Sequence, residues 1–204
     1  AKLTKVFIHA ILDGRDTPRD AGAHYLERVL KTCTAVGVGK VATLCGRFYA
    51  MDRDHRWERT NRAYQAYVAG VGDHCSDSVV EYARTMYAKG IDDEEFLPTV
   101  VVDASDQPIG SIHDSDVIVF ANFRAERMRQ LVHSFVKLNV PVTRSSLLQN
   151  ITIVTMTDYE EGLPVVVAYP SDRVACPLAC AISNAGFTQL HVAETEKYAH
   201  VTFF

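Results

Sequence analysis

The chain predicts an α/β fold, a largely parallel sheet flanked by helices. Three observations carry that prediction. Short apolar runs of strand length alternate with segments whose apolar residues recur at helical spacing. The runs break at Gly, Asp or Asn, as buried strands do when they deliver polar loops beyond their carboxyl ends. Glycines close the helical segments, where a left-handed residue is favoured.

The elements follow in order. Lys5–Ile11 is a nearly continuous apolar run ending at Asp13-Gly14, read as a buried strand. Pro18 is positioned to open a helix that carries Tyr25, Val29 and Leu30 at helical spacing and ends near Gly37. Lys40–Cys45 is a second strand, broken by Gly46. Trp57–Ala69 and Ser76–Lys89 are helices followed by Gly70 and Gly90. Val100–Val102 and Val117–Ala121 are strands separated by a turn-rich stretch. A helix over Ala125–Val136 leads to strands at Ile151–Thr157 and Val165–Ala168. A last helix over Cys176–Ala185 precedes a strand at Gln189–Ala193. The Pro-containing segment Ala168-Tyr169-Pro170-Ser171 marks the domain boundary, giving one domain over residues 1–168 and a second segment over 169–204.

Composition excludes several classes. A net charge of -4 argues against a general nucleic-acid binder, which needs a clustered basic face. No apolar stretch approaches the length of a membrane span, so no membrane partner is expected. The opening AKLTKVFIHAILDG ends at Asp13 and Arg15 with no small-residue cleavage site, and reads as a buried strand instead of a signal peptide. The five cysteines form no CxxC pair and are odd in number, which points to reduced thiols and a cytoplasmic protein. Cys176 and Cys180, four apart on a helix, are read as thiols, not as metal ligands.

Three loops share one design: each follows an apolar strand and places arginine beside Gly, Asp or Asn. They are Leu12-Asp13-Gly14-Arg15-Asp16, the stretch from Cys45-Gly46-Arg47 through Arg53 to Trp57, and Ala121-Asn122-Phe123-Arg124-Ala125-Glu126-Arg127. In open α/β sheets ligands gather beyond the carboxyl ends of strands, so the three loops are expected to converge. A guanidinium stays charged and donates paired hydrogen bonds to phosphate or carboxylate. Arg124 and Arg127, three apart at a helix start, project to one side, and the helix N-terminus adds free N–H groups. Asp16 is suited to accept a hydrogen bond from a substrate hydroxyl or to act as its base. The residues alone support a phosphate- or carboxylate-binding α/β domain; arginines beside aspartates also occur as surface ion pairs of little consequence.

The ordered segments LDGRDTP, GRFYAMDRDHRW, FANFRAER and AETEKYAHVTFF resemble the signature segments of cofactor-independent phosphoglycerate mutase, over the length of the chain. Enzymes of that family interconvert 3-phosphoglycerate and 2-phosphoglycerate without 2,3-bisphosphoglycerate, in glycolysis and gluconeogenesis. The resemblance implies a substrate-binding phosphotransferase domain over residues 1–168. Residues 169–204 would be a linker and the first part of the returning metal-binding phosphatase domain, of alkaline-phosphatase-like α/β fold. It further implies that Arg15, Asp16, Arg47, Arg53, Arg124 and Arg127 hold the glycerate, with Asp16 near the hydroxyl that receives the phosphate. Lys197 matches a lysine placed at the phosphoryl group, so that Asp16 and Lys197 are the implied catalytic residues. Two Mn2+ ions (Mg2+ or Co2+ in some members) and a serine nucleophile are implied for the phosphatase domain, with the metal ligands outside this chain. The remainder of that domain is the implied partner.

Departures from the family pattern matter too. The family's SDGGVHSH segment, the nucleophilic serine and the metal-binding Asp/His clusters are absent, and there is no initiator Met. The chain therefore reads as a piece of the enzyme that does not complete a turnover alone. A non-catalytic phosphometabolite-binding module is the alternative. Glu126 stands where Asp is usual, and Arg129 follows the matched pair. Among the other candidates, His9 is read as a packed core histidine, His55 as solvated or packing with a substrate contact as the alternative, and Tyr49 and Trp57 as packing for the second loop. His191 and His200 are not expected to bind metal. Asp92-Asp93-Glu94-Glu95 is read as a solvated helix start, and Asp158, Glu160 and Glu161 as turn residues.

Overall fold

The computed structural model describes residues 3–137, 139–144, 148–170, 174–197 and 201. The chain divides into two units, Ala1–Pro170 and Ser171–Phe204. The first contains β1 (Phe7–Leu12), α1 (Gly22–Val36), β2 (Lys40–Gly46), α2 (Arg47–Ala50), α3 (Trp57–Val68), β3 (Asp73–Cys75), α4 (Val79–Ala88), β4 (Thr99–Val101), β5 (Val117–Phe120), α5 (Ala125–Val136), β6 (Thr152–Thr155) and β7 (Val166–Val167). One sheet has the order β1-β2-β4-β3 and the other β5-β6-β7. All pairings are parallel except β2 with β4. This is the α/β architecture that the alternation of patterns predicts.

Two apolar clusters explain the layout. β2 is buried along all but its first residue, because it is covered on both faces. Leu44 faces a cluster with Leu12, Leu26, Val80 and Phe96, closed by α1 and α4. Cys45 faces the other cluster, where Tyr64 of α3 meets Phe120 of β5 and Met128, Leu131 and Phe135 of α5. Each such side chain contributes about 1.5–3 kcal/mol when fully buried. α5 is amphipathic at helical spacing: Met128, Leu131, Val132 and Phe135 turn inward. α1 ends as Gly37, at φ 78°, donates its N–H to the Cys33 and Thr34 carbonyls.

The differences from expectation have local causes. β3 was not predicted because Asp-His-Cys is no apolar run; it forms by pairing with β4. Helix α1 begins at Gly22 instead of Pro18, the intervening residues forming a turn closed by Ala21 N–H to Pro18 O at 3.2 Å. Asp92–Glu95 starts no helix, and Asp93 is fully buried. In the second unit α6 (Leu178–Asn184) forms, followed by a 3-10 turn at Thr195–Lys197. Residues 189–193 are not a strand. A strand is held by a neighbouring ladder, and the described residues of this unit contain no other strand. Among the described residues no helix is long and apolar enough to cross a membrane.

Candidate anion-binding site

Parallel pairing of β1 with β2 puts Leu12 opposite Gly46, so the loops that leave these strands start side by side. Both rest on the segment 93–96. The Gly46 N–H donates to Phe96 O at 2.8 Å, and the Phe48 N–H to Glu94 O at 3.0 Å. A Cβ on Gly14 would stand 2.6 Å from Glu94 N, and one on Gly46 2.6 Å from Asp93 O and Phe96 N. Only glycine permits this approach. The segment is itself fixed by Asp93, whose carboxylate accepts the Gly22 N–H at 2.7 Å and the Tyr87 hydroxyl at 2.5 Å.

Asp13 organises the first loop. Its Oδ1 accepts the N–H groups of Arg15 and Asp16, both at 3.3 Å, and a hydrogen bond from Arg47. Arg47 is 4% exposed and also donates to Asp16 Oδ2 at 3.1 Å. Arg124, the residue before α5, donates to the same Asp16 oxygen at 2.9 Å. Asp16 thus ties the first loop to the second and third. The Arg47 hydrogen bond holds its carboxyl below the usual range, and burial opposes this only in part; Arg124 adds to the depression. Burial pushes Asp13 upward, but Arg47 and the two backbone N–H groups outweigh it, so Asp13 too is held low.

Arg127 reports the convergence most directly. Its Nη1 donates to Met51 O at 3.3 Å, while its Nε is buried without a hydrogen-bond partner. Its pKa is lowered first by burial and then by repulsion from Arg53, Arg47, Arg15 and Arg124. The field of four other guanidiniums therefore reaches one side chain. The five guanidiniums outnumber by one the four carboxylates Asp13, Asp16, Glu94 at 3.7 Å from Arg15 and Glu126 at 3.4 Å from Arg124. Such a concentration of guanidiniums, with the buried Arg127 Nε left unfilled, suits a small polyanion.

The six candidates Arg15, Asp16, Arg47, Arg53, Arg124 and Arg127 lie in this one region. Lys197 belongs to the second unit, in the exposed turn Thr195–Lys197. His200 lies outside the described residues. His191 is exposed, 3.0 Å from Gln189 Oε1. His9 packs inside, 3.0 Å from Thr43 Oγ1. Tyr49 is buried against Phe48 and under the Arg62 guanidinium. Among the described residues no group of three or more His, Cys, Asp or Glu side chains is arranged to hold a metal ion.

Sequence reading missed the residues that hold the loops. Asp52, 6% exposed, accepts the N–H groups of Asp54 at 3.1 Å and Arg56 at 3.0 Å. Gln130 bonds to this same loop from α5. Tyr159 donates its hydroxyl to Asn122 O, and Thr157 donates to Phe123 O at 3.2 Å, fixing the third loop. Glu160 accepts from Lys137 at 2.7 Å and stands 2.9 Å from His133 Nε2, which makes it a tie to α5 and more than a turn residue. A polar residue among the apolar positions of α5 was an available signal at Gln130, shared with the buried Ser134.

A family model described as BPG-independent PGAM N-terminus (iPGM_N) matches residues 1–161. The chain is similar to the 2,3-bisphosphoglycerate-independent phosphoglycerate mutase of Chloroflexus aurantiacus, with 45% identity over 223 residues, covering 99% of this chain and 41% of the relative. It is also similar to proteins of the same name from Thermomicrobium roseum, at 45% identity over 100% of the chain, and Moorella thermoacetica, at 46% over 99%; it covers 39% of each. It spans about two-fifths of the length of the curated relatives it matches. A crystal structure of Leishmania mexicana phosphoglycerate mutase at low cobalt concentration shares the fold, with a TM-score of 0.81 and 23% identity, over 98% of this chain and 38% of that one.

Proposed function

Because the chain belongs to the family of BPG-independent phosphoglycerate mutase N-termini, we propose that it is the substrate-binding part of an isomerase that interconverts 3-phosphoglycerate and 2-phosphoglycerate. The observation that carries the proposal is the meeting of three loops at Asp16, whose Oδ2 accepts from Arg47 at 3.1 Å and from Arg124 at 2.9 Å, with Arg127 beside them. In this reading Arg15, Arg47, Arg53, Arg124 and Arg127 take up the carboxylate and phosphate of the substrate. Asp16 is the internal counter-anion until then. When the substrate recruits Arg47 and Arg124, the Asp16 carboxylate is released to accept a hydrogen bond from the glycerate hydroxyl. The phosphoryl group passes to a serine of the longer protein and returns to the other hydroxyl, while the glycerate stays in the arginine cluster and reorients. The cluster acts by positioning and charge neutralisation.

Lys197 is assigned the contact with the phosphoryl group, and Asp16 and Lys197 the catalytic roles. Two Mn2+ ions, or Mg2+ or Co2+, are assigned to residues outside this chain, with no requirement for 2,3-bisphosphoglycerate. Complete turnover is assigned to the longer protein, in the cytoplasm, with the rest of the phosphatase domain as partner and neither nucleic acid nor membrane. Titration calorimetry of 3-phosphoglycerate into the chain tests the core of this. Arg124→Ala combined with Arg127→Ala is expected to weaken binding at least about a hundredfold, since each charge-assisted contact contributes about 1.5–3 kcal/mol. Equal affinity in wild type and double variant would remove the arginine cluster as the site.

A further inference from the structure

We propose that Gln130 is a positioning residue that sets the second loop, and with it Arg53, against the Arg124–Arg127 pair; this rests on the anion-binding reading of the cluster. Gln130 lies one helical turn after Arg127 on α5 and is 4% exposed. Its Nε2 donates to Asp52 Oδ1 at 3.1 Å and to Thr60 Oγ1 at 2.6 Å. Its Oε1 accepts the His55 N–H at 3.0 Å. The partners bracket Arg53 in sequence: Asp52 precedes it and His55 follows two residues later. His55 has φ 59°, a left-handed backbone that a non-glycine residue keeps only when its surroundings hold it. The bond to Gln130 is such a hold.

α5 also reaches this part of the second loop through Arg127, which donates to Met51 O at 3.3 Å. An anion that engages the Arg127 guanidinium competes with that bond. Gln130 is not charged and does not face this competition, so it keeps the loop in register while Arg127 is used. The task demands an amide. Asp52 and Thr60 take the amide's two N–H groups and the His55 N–H takes its oxygen, and a carboxamide offers two donors and an acceptor at neutral pH. A carboxylate there would stand beside the Asp52 carboxylate and repel it. Small misplacements of a binding group are costly, which gives a buried residue a reach beyond its own contacts.

The test measures 3-phosphoglycerate affinity calorimetrically for wild type, Gln130→Ala, Gln130→Glu, Arg53→Ala and the Arg53→Ala/Gln130→Ala pair. Gln130→Ala is expected to weaken binding about tenfold, the equivalent of one buried hydrogen-bond network member. In the Arg53→Ala background the same change is expected to cost less than about twofold, because the effect passes through Arg53. Gln130→Glu binds weakly near pH 8 and approaches wild type as the pH falls toward about 5, where the introduced carboxyl, raised by Asp52, takes up a proton and can donate. Amide hydrogen exchange without ligand reads the brace itself: Gln130→Ala exposes the His55 amide while β2 amides keep their protection. An undiminished penalty in the Arg53→Ala background, or unchanged His55 exchange, overturns the inference. A wild-type chain that binds no 3-phosphoglycerate overturns the anion-binding reading along with it, and the His55 amide tells the two failures apart.

Discussion

His9 sits on β1, its Nδ1 3.0 Å from Thr43 Oγ1 and its ring 5.1 Å from that of Tyr67. Burial pushes its pKa from 6.5 down to about 4. Between these values the unfolded chain binds a proton that the folded chain refuses. The neutral ring's contribution is therefore complete above pH 6.5 and lost as the pH falls toward about 4. At 1.36 kcal/mol per pH unit this is about 3 kcal/mol. Urea midpoints of wild type and His9→Gln, compared across that window, are expected to converge as the pH drops, wild type losing more. Parallel curves would contradict the assignment. The candidate residues were legible in the sequence to the extent that their chemistry is intrinsic. An arginine beside an aspartate after a strand offers a guanidinium to an anion, and three such loops in one chain favour that reading over surface ion pairs. Asp52, Gln130 and Asp93 were not legible, because their roles depend on partners 78 or 71 residues away in sequence and on a burial that no local pattern encodes.

At the scale of elements, the arginine loops depend on how closely backbone meets backbone. β1 and β2 end in register, and Gly46 lets the second loop press against the carbonyls of 93–94 and the N–H of Phe96. Gly46→Ala sets a methyl against main chain that has no rotamer to move. It is expected to cost about 2–3 kcal/mol, the upper range for overpacking, read as a lowered urea midpoint with an unchanged slope. A midpoint equal to that of wild type would show that the loop has room to shift. Elements with four or more apolar residues or a clear helical stripe, such as β2, β5 and α5, were readable from sequence. β3 was not, because pairing with β4 makes it a strand. Gln189–Ala193 has strand-like residues and no ladder among the described residues, so propensity alone did not produce one.

At the scale of the molecule, the first unit contributes two sheets and two apolar clusters that share β2, and its loops bring the guanidiniums of Arg15, Arg47, Arg53 and Arg124 near that of Arg127. The fold class was legible because alternation of period two and period 3.6 is a global property of the chain. The match between loop residues and the family segments was legible for a different reason: the segments are long and ordered. Among its described residues the second unit exposes Leu178, Phe187, Leu190 and Val192 and carries α6 and the turn Thr195–Lys197. Family membership and coverage of about two-fifths of the relatives make this chain one part of the proposed mutase. The central claim is that arginines from three separate loops hold one phosphorylated three-carbon acid. A crystal structure of the chain soaked with 3-phosphoglycerate tests it most directly. The prediction is one ligand whose phosphate and carboxylate are contacted by guanidiniums of all three loops, with the Arg124–Asp16 bond opened. A ligand bound by a single loop, or away from these arginines, would contradict it.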